Sequence, residues 1–165
     1  GMAPAHAGVF SINAPASVEQ GTKGIVVSLF ESGISGLEAA DILFTFDSSV
    51  FDYVSTELGN AITSGFFLLA NETAPGSVDI SLSSDLPVTA TDGSLLDVTL
   101  DVRNDAPLGT LATAFRFEAI SSDYDFPQQV AGLTVTATGA TPEPLSILLV
   151  AIADVLYHRH DIGGR

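Results

Sequence analysis

The chain has 165 residues, and 20 acidic side chains against 5 basic ones give it a formal net charge of −15. Nucleic acids and anionic membrane surfaces attract proteins through Lys and Arg, so this charge argues against both as partners. The chain contains no cysteine, which excludes disulfides and thiolate chemistry, and it is long enough for one domain with its own core.

Short segments of alternating apolar and polar residues recur through residue 138, separated by Gly, Asp, Asn, Ser and Pro. Each segment predicts a strand with one buried and one solvated face. The predicted strands are 8–12, 24–30, 40–46, 51–55, 65–70, 77–83, 95–103, 112–120 and 132–138. Nine short strands without a helix predict an all-β fold, an antiparallel nine-strand β-sandwich of jelly-roll topology.

The alternation also predicts which side chains face the core. The residues expected to point inward are Ile42, Phe44, Phe46, Val78, Ile80, Leu82, Leu96, Val98, Leu100, Val102, Phe115, Phe117, Leu133, Val135 and Ala137. Their neighbours along each strand then point outward, because successive side chains of a strand alternate between the two faces. Asp47-Ser48-Ser49 predicts a turn, since Asp and Ser side chains bind the backbone amides of a turn.

The order of the motifs resembles the cohesin family. Phe46-Asp47-Ser48-Ser49-Val50-Phe51 is similar to the family's Tyr/Phe-Asp-Pro-x-Val-Leu turn, with Ser48 in place of Pro and Phe51 in place of Leu. Residues 91–102 resemble its Asp-Gly-x-Leu-x-x-Ile-x-Phe-x-Val strand, 106–109 the turn after it and 131–135 the closing strand. The resemblance covers residues 11–138. It implies a nine-strand jelly roll that binds the calcium-loaded helices of dockerin modules through one exposed sheet face.

The resemblance places an aspartate of that face at Asp41, which the alternation independently directs outward. The family's usual Asn two positions earlier is Ala39 here. An outward leucine on a central strand either contacts a partner or is covered by the C-terminal tail, and nearby serines on strand 77–83 add hydroxyl groups. We therefore predict a partner-binding site made of Asp41, Leu43, Thr45, Ser81 and Ser83.

Catalytic and metal-binding patterns are sparse. The three histidines, His6, His158 and His160, lie at the two ends of the chain, and Glu118 is the one Glu well inside a predicted strand. We therefore predict no enzymatic activity and assign no metal site. Oxygen ligands suited to calcium do occur in 123–125 and in Asn104-Asp105, without an EF-hand loop, so calcium is left open as a cofactor.

The last residues, 141–165, differ in character from the rest. A stiff Pro-Glu-Pro linker precedes an apolar run, 145–153, that has about half the 20 residues a membrane span needs. This order resembles the PEP-CTERM sorting signal, with matches at Pro142, Glu143, Pro144 and Arg159, although Asp154 departs from the pattern. The alternative is an amphipathic helix that packs on the sandwich or on another copy, which predicts a homo-oligomer through 145–157.

These observations predict three regions: 1–7, a cloning remnant and the end of a removed signal peptide; 8–140, the cohesin-like sandwich; and 141–165, the linker and tail. We predict a secreted docking module at a cell surface or in an extracellular matrix, with a dockerin-like protein as partner. It would meet a membrane only transiently, through an unprocessed tail.

Two alternatives remain. The first is a carbohydrate-binding module that binds polysaccharide. Such modules stack sugar rings on exposed aromatic side chains, and a chain without Trp offers Tyr53 and Tyr124 for that role. The second is a structural spacer without a specific ligand.

Overall fold

The fold is known from a computed structural model, which describes residues 6–61, 65–88, 91–122 and 124–139. The apolar tail, its expected helix, its self-association and the four sorting-signal residues lie outside the described residues, as does Asp123. The described residues contain no helix, and therefore none that could cross a membrane.

The described residues form twelve strands. They are β1 (His6–Ala7), β2 (Val9–Asn13), β3 (Ser17–Glu19), β4 (Ile25–Ser32), β5 (Leu37–Phe46), β6 (Phe51–Leu58), β7 (Phe67–Ala74), β8 (Ser77–Val88), β9 (Gly93–Val102), β10 (Gly109–Ser122), β11 (Tyr124–Asp125) and β12 (Gln129–Thr136).

Two sheets make up the sandwich. The six-stranded sheet has the order β3-β12-β10-β5-β8-β7, and the four-stranded sheet has the order β2-β4-β9-β6. All pairs among the longer strands are antiparallel. The predicted sandwich of antiparallel strands is therefore confirmed, with β5 near the centre of the larger sheet.

The core fills the space between the sheets. Phe44, Phe115 and Phe117 are fully buried, and the ring centroid of Phe44 lies 4.7 Å from that of Phe117 and 6.3 Å from that of Phe115. Opposite them, β9 buries Leu96, Val98, Leu100 and Val102. Nearly every residue that the alternation directs inward is buried, because an apolar side chain leaves water only on that side of the sheet.

The structure corrects three details. The short strands β1, β3 and β11 were not predicted, because two or three residues are too few to show an alternation. Two pairs are parallel, β12 with β3 and β1 with β11, in a fold expected to be antiparallel throughout. Strand β12 ends at Thr136, so Ala137 is exposed rather than inward.

The turn after β5 forms as predicted. The backbone amide and the hydroxyl of Ser49 both donate to Asp47 Oδ1, at 2.9 and 2.6 Å, and the amide of Val50 donates to the Asp47 carbonyl at 3.0 Å. Across the sheet, Gly76 turns the chain from β7 into β8 with a positive φ of 87°. These two turns fix the ends of β5 and β8, the strands that carry the candidate site.

Candidate docking face

The side of the six-stranded sheet that points away from the core carries the candidate site. Strand β5 is hydrogen-bonded to β10 on one side and to β8 on the other, and β7 forms the edge beyond β8. We call this side the outer face and define it by Asp41, Leu43, Thr45, Phe67, Leu69, Asp79, Ser81, Ser83, Arg116 and Glu118.

The five residues predicted as the partner-binding site lie together on this face. Asp41 is the register partner of Ser81, whose hydroxyl donates to Asp41 Oδ1 at 3.3 Å. Ser83 lies opposite Ala39, one step further along the two strands. Asp41, Leu43, Thr45 and Ser81 are half-buried and Ser83 is exposed, so all five can be reached from solvent.

Leu43 sits between two acidic side chains. Its register partners are Asp79 on β8 and Glu118 on β10. Thr45, two residues on, lies between Ser77 and Arg116 in the same way. Cross-strand partners are the closest neighbours in a sheet, so the apolar group at the centre of the face is bordered by carboxylates.

Asp79 and Asp41 form an interacting pair of carboxyl groups. A hydrogen bond with Asp41, followed by partial burial and by repulsion from the Asp41 charge, raises the pKa of Asp79 above its ordinary value. Asp79 Oδ1 is fully occluded and has no hydrogen-bond partner within the protein. The pair therefore places two acidic groups next to each other on the face that carries Leu43.

Strand β10 contributes a positively charged side chain to the outer face. Arg116 lies on the outer face next to Thr45, and its Nε is occluded without a hydrogen-bond partner. Glu118 follows two residues later on the same face. The outer face thus carries one cationic side chain among its acidic ones, and the Arg116 Nε and Asp79 Oδ1 atoms are both occluded without a partner within the protein.

An apolar border lies along the edge strand. Phe67 and Leu69 are 70% and 72% exposed, and their register partners on β8 are Ser83 and Ser81. Because paired residues in an antiparallel sheet share a face, both side chains extend the surface that Asp41 and Leu43 begin. Large apolar groups exposed next to one another on a sheet are typical of interaction sites.

A depression of about 480 Å³ adjoins Asp41 at the end of this face. It is lined by Ala39, Ala40, Asp41, Ser81, Leu82, Ser121 and Ser122. The β10–β5 register shifts between Ala119 and Ser121, and an irregularity of this kind bends a strand away from its neighbour. The outer face therefore ends in a recess that can receive a side chain.

The structure does not support the aromatic glycan site. Tyr53 is half-buried, packs against the core, and has its hydroxyl 2.7 Å from Thr56 Oγ1. Its register partner is the buried Leu100, so the ring lies on the inward side of β6 and cannot stack on a sugar. The backbone of Tyr124 belongs to β11, and its side chain is outside the description.

In Asn104-Asp105, one of the two candidate calcium segments, the Asp105 carboxylate is already paired with Arg103. The Arg103 guanidinium donates to both oxygens of Asp105, at 3.0 and 3.3 Å, and lowers the pKa of that carboxyl. Within the described parts of the chain, no group of three or more His, Asp or Glu side chains lies close enough to hold a metal ion.

Five residues of the outer face were not predicted as site residues: Phe67, Leu69, Asp79, Arg116 and Glu118. The alternation already directed Asp79 outward, but only the register places it beside Leu43. For Phe67 and Leu69, the signal in the sequence is two bulky apolar residues separated by one position in a strand.

The chain is similar in structure to proteins of known fold. No protein-family model matches the chain, and no curated protein matches it. Solved structures do match. The seventh ScaB type I cohesin from Pseudobacteroides cellulosolvens is 16% identical, with a TM-score of 0.59, over 82% of this chain and 96% of its own.

Two further structures agree. A cohesin module from a family 33 glycoside hydrolase of Clostridium perfringens is 18% identical over 80% of this chain and 98% of its own, with a TM-score of 0.58. A type I cohesin–dockerin complex from Clostridium thermocellum contains a chain that is 15% identical over 78% of this chain and 99% of its own, with a TM-score of 0.61. At these identities the likeness concerns architecture, and the described residues have a cohesin-like fold.

Proposed function

We propose that this protein is a nonenzymatic docking module that binds a dockerin-like protein through the outer face. The observation that carries the proposal is Leu43, a half-buried leucine on a central strand that is bordered by Asp79 and Glu118 and faces away from the core. Apolar anchors surrounded by polar groups are typical of protein interfaces, and Leu43 continues towards the exposed Phe67 and Leu69 on the same face.

The contacts proposed for the partner follow from the chemistry of the face. An apolar side chain of the partner would cover Leu43 and continue onto Phe67 and Leu69. Hydroxyl groups of Thr45, Ser81 and Ser83 would supply hydrogen bonds around it. Asp41 would receive a lysine or arginine, since the ion pairs of the described residues involve other carboxyl groups.

The fold supports a partner of the dockerin type. Several matched structures are cohesins solved together with dockerins. A fold by itself does not fix function, so the proposal rests on the outer face, and the likeness only suggests which class of partner to test first. A secreted or surface location belongs to the same proposal, as do the domain limits at 8–140 and a sorting signal at Pro142, Glu143, Pro144 and Arg159.

The test is capture by the immobilised full-length chain from secreted and surface fractions of its source organism, with and without calcium. We expect capture of a protein whose sequence contains a dockerin module, identified by mass spectrometry, and we expect calcium to be required. Leu43→Arg should abolish capture, because a charged side chain would replace the central apolar contact. Asp41→Ala should weaken it.

Val54→Arg is the matched control. Val54 is 50% exposed on β6, in the other sheet, so this variant adds the same charge at an exposed valine outside the outer face. It should capture as the unmodified chain does. Equal capture by the Leu43→Arg variant, or capture of no dockerin-bearing protein, would contradict the proposed function.

A further inference from the structure

A buried carboxyl group lies in the four-stranded sheet, which does not carry the outer face. Glu31 lies near the end of β4 and is 1% exposed. Its register partners are Phe10 on β2, which is buried, and Gly93 on β9. In β4 it follows the buried Val27 and Leu29 at the spacing of inward residues, so a carboxyl group occupies a position where the pattern calls for an apolar one.

This carboxyl group is only partly satisfied. Oε2 accepts a long hydrogen bond of 3.4 Å from the amide of Ile34, and Oε1 is buried without any partner. An ionised carboxylate that is removed from water without compensation is very costly, so a buried one is paired, protonated or bound to a metal.

A second carboxylate lies next to it. Asp92 Oδ1 accepts from the amide of Gly33 at 3.1 Å, and the following amide, that of Ile34, is the one that binds Glu31. Consecutive amides of one turn therefore hold the two carboxylates side by side. Burial first, and the Asp92 charge in addition, raise the pKa of Glu31.

The described cationic side chains are engaged elsewhere. Lys23 pairs with Asp101, and Arg103 pairs with Asp52 and Asp105. Arg116 belongs to the outer face of the other sheet. The charge of the Glu31–Asp92 pair is thus not balanced by any cation in the described part of the chain.

We propose that Glu31 and Asp92 bind a hard divalent cation, such as Ca²⁺, at the end of the sandwich. Carboxylate oxygens are the preferred ligands of Ca²⁺, which completes its coordination with backbone carbonyls and water. The ion would bind Glu31 Oε1, which has no partner within the protein, and would neutralise both carboxylates. With two acidic ligands the affinity is weak, on the order of the 10⁻⁴–10⁻³ M of extracellular calcium modules. The ion would stabilise the folded chain itself, independently of any docking partner.

Thermal unfolding of the full-length chain, in EDTA and in 10 mM CaCl₂ or MgCl₂, tests the proposal. An ion that binds only the folded state at about ten times its dissociation constant should raise the midpoint by about 4 °C. Glu31→Gln should lose most of this response. In EDTA its midpoint should equal or exceed that of the unmodified chain, because a neutral amide replaces a buried charge.

Glu57→Gln is the matched control. Glu57 is exposed on β6 and lies opposite another acidic residue, Asp97. The variant therefore measures how much calcium stabilises the fold simply by screening repulsion between neighbouring carboxylates. This variant should keep the full calcium response. If Glu31→Gln does not fold, Asp92→Asn replaces it, since Asp92 is exposed and its amide oxygen can still accept from Gly33.

Binding is then located by NMR titration with CaCl₂. The amide signals of Gly33 and Ile34 should shift and saturate in the unmodified chain and stay unchanged in the variant. No calcium response in the unmodified chain, or an equal response in all variants, would overturn the proposal and leave Glu31 as a protonated core residue.

Discussion

Leu43 and Phe44 are neighbours in β5 with opposite orientations, and this gives the sharpest test of the structure. Phe44 is fully buried and contacts Phe46, Phe115 and Phe117. Phe44→Ala removes the ring and leaves a cavity, so we expect a loss of about 4 kcal/mol in the free energy of unfolding. The expected fall in the melting temperature is roughly 10 °C.

Leu43→Thr should behave differently. Leu43 is half-buried on the outer face, so replacing it removes about half the apolar burial of a core leucine, a cost of about 1 kcal/mol. Threonine also suits a strand through its branched β-carbon. This variant should therefore fold well and yet lose capture of the partner.

Urea unfolding followed by circular dichroism measures both variants under the same conditions. The unmodified chain and Val54→Thr, a substitution at an exposed position of the other sheet, are the references. If Leu43→Thr cost as much as Phe44→Ala, the assignment of the two faces of β5 would be wrong. If Leu43→Thr captured the partner normally, the assignment of the two faces of β5 would remain valid, but the proposed role of Leu43 in docking would be wrong.

Three further variants have defined outcomes. Gly76→Ala forces a side chain into a turn with a φ of 87° and places its Cβ 2.6 Å from the Phe46 carbonyl oxygen. The variant should therefore lose about 1–3 kcal/mol in the free energy of unfolding, measured in urea. An unchanged free energy of unfolding would exclude this turn geometry. Tyr53→Phe removes the hydroxyl contact with Thr56 and should cost about 1 kcal/mol in urea unfolding, and an unchanged free energy of unfolding would contradict that contact. In EDTA, the raised pKa of Glu31 means that the folded state holds its proton to higher pH than the unfolded state, whose pKa is near 4.5. Stability should therefore fall as pH rises from 4.5 through the raised pKa, and Glu31→Gln should flatten that fall in a series of melting curves; an unchanged slope would contradict the burial of a titrating carboxyl group.

The longer strands and their two faces follow from the amino-acid sequence alone. Alternation is a local property, because each side chain of a strand points opposite to its neighbour and the apolar ones must leave water. For this reason the inward residues of β5, β8 and β9 and the outward position of Asp41 could be predicted without a structure. The Asp47 turn was predictable on the same basis, since its hydrogen bonds span only three residues along the chain.

Which strands pair, and in what register, depends on how the whole chain folds. Strand β3 pairs with β12 although Val18 and Val135 are far apart in the sequence, and no local pattern records such a contact. The register likewise places Asp79 beside Leu43. Glu31 is the clearest case, since a charged residue at an inward position becomes informative only when Asp92, from a distant strand end, is found beside it. Side-chain alternation follows from backbone geometry within one strand, whereas neighbours across a sandwich follow from the packing of the whole chain.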